Sequence, residues 1–149
     1  MRFEYQKNES IPSLSWLAEI SKRGGGIINI THGTTVEYYE NFFVSGVWDG
    51  EFEKGEFDTA LSFHGTGGIA LEDSDFVTFV TPNHLQESLY SLVQNDEFLI
   101  SNSLPFLLAY SGHQLDTNYY GYEYDLNSIF FGSKRCVKEL KLKNAIVQM

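Results

Sequence analysis

The stretch Glu97-Phe98-Leu99-Ile100-Ser101-Asn102-Ser103-Leu104-Pro105-Phe106-Leu107-Leu108-Ala109 changes character once, at its three central polar residues. Ahead of the break, Phe98 to Ile100 is strand chemistry. At the break, Ser101, Asn102 and Ser103 offer side-chain oxygens to the orphan N–H groups of a helix start. Beyond it, Pro105 suits a first helical turn, where no N–H donor is needed, and Gly112 closes a helix over residues 104–111. Upstream, Ser88-Leu89-Tyr90-Ser91-Leu92-Val93 pairs well with Glu97 to Ile100, and Gln94-Asn95-Asp96 is turn chemistry. Leu85, Leu89 and Leu92 also fit a helical spacing, but the turn residues favour a β-hairpin.

Working outward, Ile27 to Thr31, Val36 to Trp48, Asp58 to Leu71 and Phe76 to Val80 are rich in β-branched and aromatic residues and read as strands. Gly65-Thr66-Gly67-Gly68 and Glu72-Asp73-Ser74-Asp75 read as breaks between them. Ser10 to Arg23 reads as a helix with Pro12 in its first turn. Leu14, Leu17, Ala18 and Ile20 fall near one face, and Gly24-Gly25-Gly26 ends it. Asp116 is placed to cap a short helix through the tyrosines, and Ser128 to Phe131 with Val137 to Val147 form a closing strand pair. No repeat or linker divides the chain. The expectation is one α+β domain over residues 1–149, mostly β.

Composition bounds the function. The chain has 149 residues, 42% hydrophobic and 15% aromatic, enough to bury a core. Its net charge is −10, and between Gly24 and Gly132 sixteen acids meet one base, Lys54, a local balance of −15. Such a surface repels phosphate backbones, which argues against a nucleic-acid partner. Cys136 is the only cysteine, so an internal disulfide and a multi-thiolate metal site are excluded. No apolar run nears the roughly 18 residues that span a bilayer, and the polar start lacks a signal-peptide core. A cytoplasmic protein without a membrane partner is the default expectation.

Candidate chemistry is sparse. The Gly65–Gly68 cluster lacks the Gly-Lys-Ser/Thr of a P-loop and the Gly-x-Gly-x-x-Gly of a dinucleotide site, so a turn between strands is the plainer reading. His32, His64, His84 and His113 show no metal-ligand spacing, and no Gly-x-Ser-x-Gly elbow marks a serine nucleophile. No metal and no cofactor is expected. Cys136 lies between Lys134-Arg135 and Lys138, a cationic setting of the kind in which thiols react, or it is a small residue of the last strand pair. Tyr119, Tyr120, Tyr122 and Tyr124, with Trp48, are candidates for stacking a flat ligand or covering an interface.

The hairpin-to-helix stretch 97–109 resembles the strand that ends in serine and leads into a short apolar helix in the amidotransferase-type domain of asparagine synthetase-like proteins. Val47-Trp48-Asp49-Gly50-Glu51-Phe52, Asp75-Phe76-Val77-Thr78-Phe79 and Leu89-Tyr90-Ser91-Leu92 are similar to further segments of that family. So are Asn127-Ser128-Ile129-Phe130-Phe131-Gly132 and Val137-Lys138-Glu139-Leu140, so that the likeness covers about residues 44–147. It implies an Ntn-hydrolase-like layered sandwich of mostly antiparallel sheets with a few short helices.

The resemblance implies chemistry that this chain lacks. The family's nucleophile is a cysteine that follows the initiator methionine and uses its own α-amine as base. Position 2 is Arg2, and Cys136 lies near the other end. The glutamine carboxylate also calls for an arginine fork, and none occurs between Gly24 and Gly132. The expectation is a non-catalytic domain, structural or regulatory, set against a downstream ATP-dependent synthetase domain or a partner protein. Residues 1–149 are then the N-terminal part of a longer protein or a free-standing one, and a homo-oligomer stays open. Two alternatives stand beside it: a small-ligand module built on the aromatic patch, and an enzyme dependent on Cys136.

Overall fold

A computed structural model describes residues 1–70, 76–82, 87–132 and 134–149. The early strands are β1 (Arg2–Lys7), β2 (Trp16–Ser21), β3 (Ile27–His32), β4 (Glu37–Tyr38) and β5 (Phe42–Trp48). They are followed by β6 (Phe63–Ala70), β7 (Val77–Val80), β8 (Tyr90–Gln94) and β9 (Glu97–Ser101). Helices α1 (Leu104–Ser111) and α2 (Tyr122–Leu126) come next, and β10 (Glu139–Lys141) and β11 (Ile146–Gln148) close the chain. The fold is mixed α+β, and its strands form two sheets. A seven-stranded sheet runs β1-β3-β2-β9-β8-β11-β10, and a four-stranded sheet runs β4-β5-β6-β7. Among the described residues, every pairing of these strands is antiparallel except β1 with β3.

Three apolar clusters set the layering. Phe3, Trp16, Ala18, Ile28, Ile30 and Ile100 of the larger sheet pack against Phe43 and Ala70 of the smaller one. On the other face of the larger sheet, Leu17, Leu92 and Leu99 meet Leu104, Phe106 and Leu107 of α1. The far face of the smaller sheet carries Phe42, Val44, Phe63 and Ile69, covered by Phe52 and Phe57 from the β5–β6 connection. The order is therefore helix, sheet, sheet, aromatic loop.

The hairpin and helix stand where expected. β8 and β9 pair from Tyr90↔Ser101 to Gln94↔Glu97, and Asn95 (φ 50°) with Asp96 (φ 64°) makes the two-residue turn. Both types tolerate positive φ, which a hairpin turn of matching twist requires. Ser103 caps α1 by accepting from the Phe106 N–H at 3.4 Å, and Gly112 ends it with φ 72°.

Four expectations are corrected. Residues 10–23 are not a helix. Pro12 sits in a turn closed by the Ser15 N–H on its carbonyl, and β2 follows. Trp16 and Ala18 face the smaller sheet while Leu17 faces α1, so both sides of β2 are buried and the alternation that marks a strand is absent. Gly65-Thr66-Gly67-Gly68 is not a break but the middle of β6, paired with both β5 and β7. A Cβ on Gly65 would lie 2.3 Å from the Ser45 carbonyl oxygen, so these glycines serve close strand approach.

Asp116 does not cap a helix: its carboxylate accepts from the Asn118 N–H within a turn, and α2 begins at Tyr122, with Gly121 as an N-cap that offers no side chain. Ser128–Phe131 is a 3-10 turn rather than a strand. The Ser128 hydroxyl donates to the Asp125 carbonyl and accepts from the Val137 N–H, which curls this segment onto α2. The final pair is instead the short hairpin β10–β11, which starts inside the stretch 137–147. Two further boundaries shift, since β6 starts only at Phe63 and a turn at Tyr39 separates β4 from β5. Leu71 to Asp75, His84 and Leu85 lie outside the described residues. No helix among the described residues is long and apolar enough to cross a membrane.

Candidate functional site

The tyrosines divide into anchors and surface. Tyr122 donates to the Lys141 carbonyl at 2.7 Å and accepts from the Asp116 N–H at 2.7 Å, tying α2 to β10. Tyr119 donates to the buried Asp125 carboxylate at 2.6 Å. That hydrogen bond, more than burial, holds the Tyr119 phenol above its ordinary pKa. The Tyr119 and Tyr122 rings meet edge to face at 4.8 Å, a favourable aromatic geometry. A Cβ at Gly121 would sit 2.4 Å from the Tyr119 hydroxyl, so a larger residue there would displace that ring.

With those two rings fixed, the others point outward. Tyr120 is 92% exposed, Tyr124 is 56% exposed and stacks on Phe131 at 5.5 Å, and Phe130 is 62% exposed. Tyr120, Glu123, Tyr124, Asn127 and Phe131 line a shallow hollow of about 350 Å³. It offers flat aromatic walls and one carboxylate, a surface for an apolar side chain or a neutral or cationic planar group.

Trp48 does not join this cluster. It stands on β5, stacked on Phe52 at 4.8 Å and close to Phe57, and half-buried. Its Nε1 is buried without a hydrogen-bond partner among the described residues. The structure therefore gathers Tyr119, Tyr120, Tyr122 and Tyr124 and places Trp48 in the aromatic cover of the other sheet.

The remaining candidates stand apart. Cys136 is half-buried, with its Sγ 3.6 Å from the Val137 carbonyl. It lies in the loop ahead of β10, not in a strand. His64 is exposed on β6, with Nε2 3.4 Å from the Ser62 hydroxyl, and His113 follows α1. His32 is buried on β3, its Nδ1 donating to the Gly33 carbonyl at 2.9 Å and its Nε2 left without a partner among the described residues. Among the described residues, no three His, Cys, Asp or Glu side chains are grouped to hold a metal ion.

A second hollow has no counterpart among the sequence candidates. Arg2, Phe3, Glu4 and Tyr5 of β1 and Tyr38, Tyr39 and Glu40 at β4 line a groove of about 430 Å³. Tyr5 bridges its two walls, its hydroxyl within 2.7 Å of the Tyr39 carbonyl and 3.0 Å of the Phe42 carbonyl. A signal for it exists in the alternation of Phe3 and Tyr5 with Arg2, Glu4 and Gln6, but the polar content of the first ten residues hides it. No family model matches the chain, and no curated protein or solved structure does either.

Proposed function

We propose that this chain is a non-catalytic domain of the amidotransferase-like kind, with a structural or regulatory role exercised by packing against another protein domain through the aromatic face of α2 and the turn after it. The observation that carries the reading is that Tyr120, Tyr124, Phe130 and Phe131 are all more than half exposed within twelve residues of sequence. The Tyr119–Asp125 and Tyr122–Lys141 hydrogen bonds anchor the same segment. A cluster of exposed aromatic rings, two of them stacked on each other as Tyr124 and Phe131 are, is what an interaction surface offers. Two mostly antiparallel sheets and the hairpin-to-helix unit support the family part of the reading. The lack of any arginine between Gly24 and Gly132 to hold a glutamine carboxylate supports the non-catalytic part.

The partner in this reading is an ATP-dependent synthetase domain with a Ser-Gly-Gly-x-Asp-Ser loop. Titration of such a domain from the same genome with the purified chain tests it. Binding weakened about tenfold or more by Tyr124→Ser or Phe131→Ser is the expected result. Unchanged affinity in both variants, or no binding by the intact chain, would contradict it.

The hollow beside Tyr124 favours a second reading, a small-ligand module. Its ligands are planar and neutral or cationic, given Glu123 at the rim and the acidic balance of the chain.

A further inference from the structure

The order of the larger sheet leaves β1 at an edge. The Arg2 N–H donates to the Gly26 carbonyl and the Asn8 N–H to the His32 carbonyl, so the even-numbered residues of β1 turn their peptide groups toward β3. Peptide groups alternate along a strand, so those of Phe3, Tyr5 and Lys7 point away from the sheet. Among the described residues no strand pairs with that side. An edge of this kind is a template for one more strand.

The groove lies beside this edge, between Arg2 to Tyr5 of β1 and, opposite, Tyr38 of β4 with Tyr39 and Glu40 of the turn after it. An added strand would project every second side chain into it. There the side chain would meet the Tyr38 ring, stacked on Tyr5 at 4.5 Å, and the Tyr39 ring, stacked on Phe42 at 4.7 Å. Tyr38 and Tyr39 keep 50% and 42% of their surface exposed. The local cations are already engaged, Arg2 with Glu4 at 3.0 Å and Lys7 with Glu9 at 3.8 Å. Glu40, which lines the groove, makes no ion pair among the described residues. Exposed tyrosine faces beside the Glu40 carboxylate select a cationic side chain, arginine above all, which stacks flat on an aromatic ring while its fork reaches the carboxylate.

We propose that β1 is a docking edge for an extended peptide segment of a partner protein, one that alternates β-branched and basic residues. The peptide adds a strand to the seven-stranded sheet. Its backbone pairs with Phe3, Tyr5 and Lys7, and its inward basic side chains lie on Tyr38 and Tyr39 beside Glu40. This site is separate in sequence and structure from the α2 surface and does not depend on it.

The test uses the whole chain and three terminally blocked hexapeptides: alternating valine and arginine, alternating valine and glutamate, and the first again with alternate peptide nitrogens methylated. Amide NMR is expected to show saturable shifts at Phe3, Tyr5 and Lys7 with the valine–arginine peptide alone. Tyr38→Ala and Glu40→Gln, both at exposed positions, should each weaken binding several-fold, with Tyr38→Ala approaching about tenfold. No shift at millimolar peptide would overturn the proposal, as would equal binding of the glutamate or methylated peptide. Concentration-dependent protection of the same amides without peptide would assign the edge to a second copy and overturn it too.

Discussion

Trp16 and Thr66 lie fifty residues apart and meet between the sheets, the indole Nε1 donating to the threonine hydroxyl at 2.9 Å with both residues at most 1% exposed. Asn102 completes the junction. Its Nδ2 reaches Thr66 Oγ1 and the Leu14 carbonyl, both at 3.0 Å, and its Oδ1 accepts from the Trp16 N–H. Ser101 adds a 2.6 Å bond from its hydroxyl to the Trp16 carbonyl. One polar chain thus fixes β2, β6 and the start of α1 to each other inside an otherwise apolar layer.

Thr66→Val keeps the shape of that site and removes the acceptor, leaving a buried indole N–H unpaired. The expected cost is about 1–3 kcal/mol in chemical denaturation, with most of it recovered in Thr66→Ser. A loss within error of zero would show that the junction contributes nothing to stability.

The hairpin and α1 were legible because their determinants are local: Asn95 and Asp96 for the turn, Ser103 and Gly112 for the helix ends. The first strand was not, because its pairing with β3 is parallel and joins residues some twenty-five apart, from Arg2↔Ile27 to Lys7↔His32. Trp16 to Ala18 misled because a strand buried on both faces has no period of two. The tyrosine cluster was legible as a composition. Which rings face inward was not, since that depends on Asp125, Lys141 and Asp116 as partners.

Gly65 tests whether the glycine cluster belongs to a strand. Its φ of 145° opposes a side chain, and so does the 2.3 Å that would separate a Cβ from the Ser45 carbonyl oxygen. Gly65→Ala should cost about 1–3 kcal/mol. The same change at Gly25, whose Cβ position is open although its φ is 131°, isolates the backbone part of the effect. Equal melting temperatures for wild type and Gly65→Ala would contradict the close approach of β5 to β6 at this position.

Several phenols are held neutral by the fold. Tyr5 is raised above the ordinary tyrosine value, chiefly by burial, and Tyr110 to about 12, chiefly by its 2.6 Å hydrogen bond to Glu19. A group whose folded pKa is raised stabilises the protein fully below the unfolded value, and that contribution is lost as pH rises through the folded one. Stability should therefore fall from about pH 10 upward. Denaturation curves of Tyr5→Phe and Tyr110→Phe should show a shallower alkaline decline than wild type. A decline of the same slope in both variants would assign the effect to other groups.

The hollow at Tyr124 predicts a ligand preference. Thermal-shift measurements should show larger stabilisation by planar neutral or cationic compounds than by carboxylates of similar size, lost in Tyr124→Ala. Because Tyr124 is more than half exposed, that substitution should change stability by no more than about 0.5 kcal/mol. Uniformly flat shifts would remove the small-ligand reading and leave the docking surface.

Ammonia release from glutamine, measured on the purified chain and on Cys136→Ala, tests the central claim most directly. With no arginine between Gly24 and Gly132 to hold the substrate carboxylate, and with Cys136 in the loop before β10, neither protein is expected to release ammonia above the buffer rate. Turnover by the wild type that disappears in Cys136→Ala would contradict the non-catalytic reading and make this chain an enzyme.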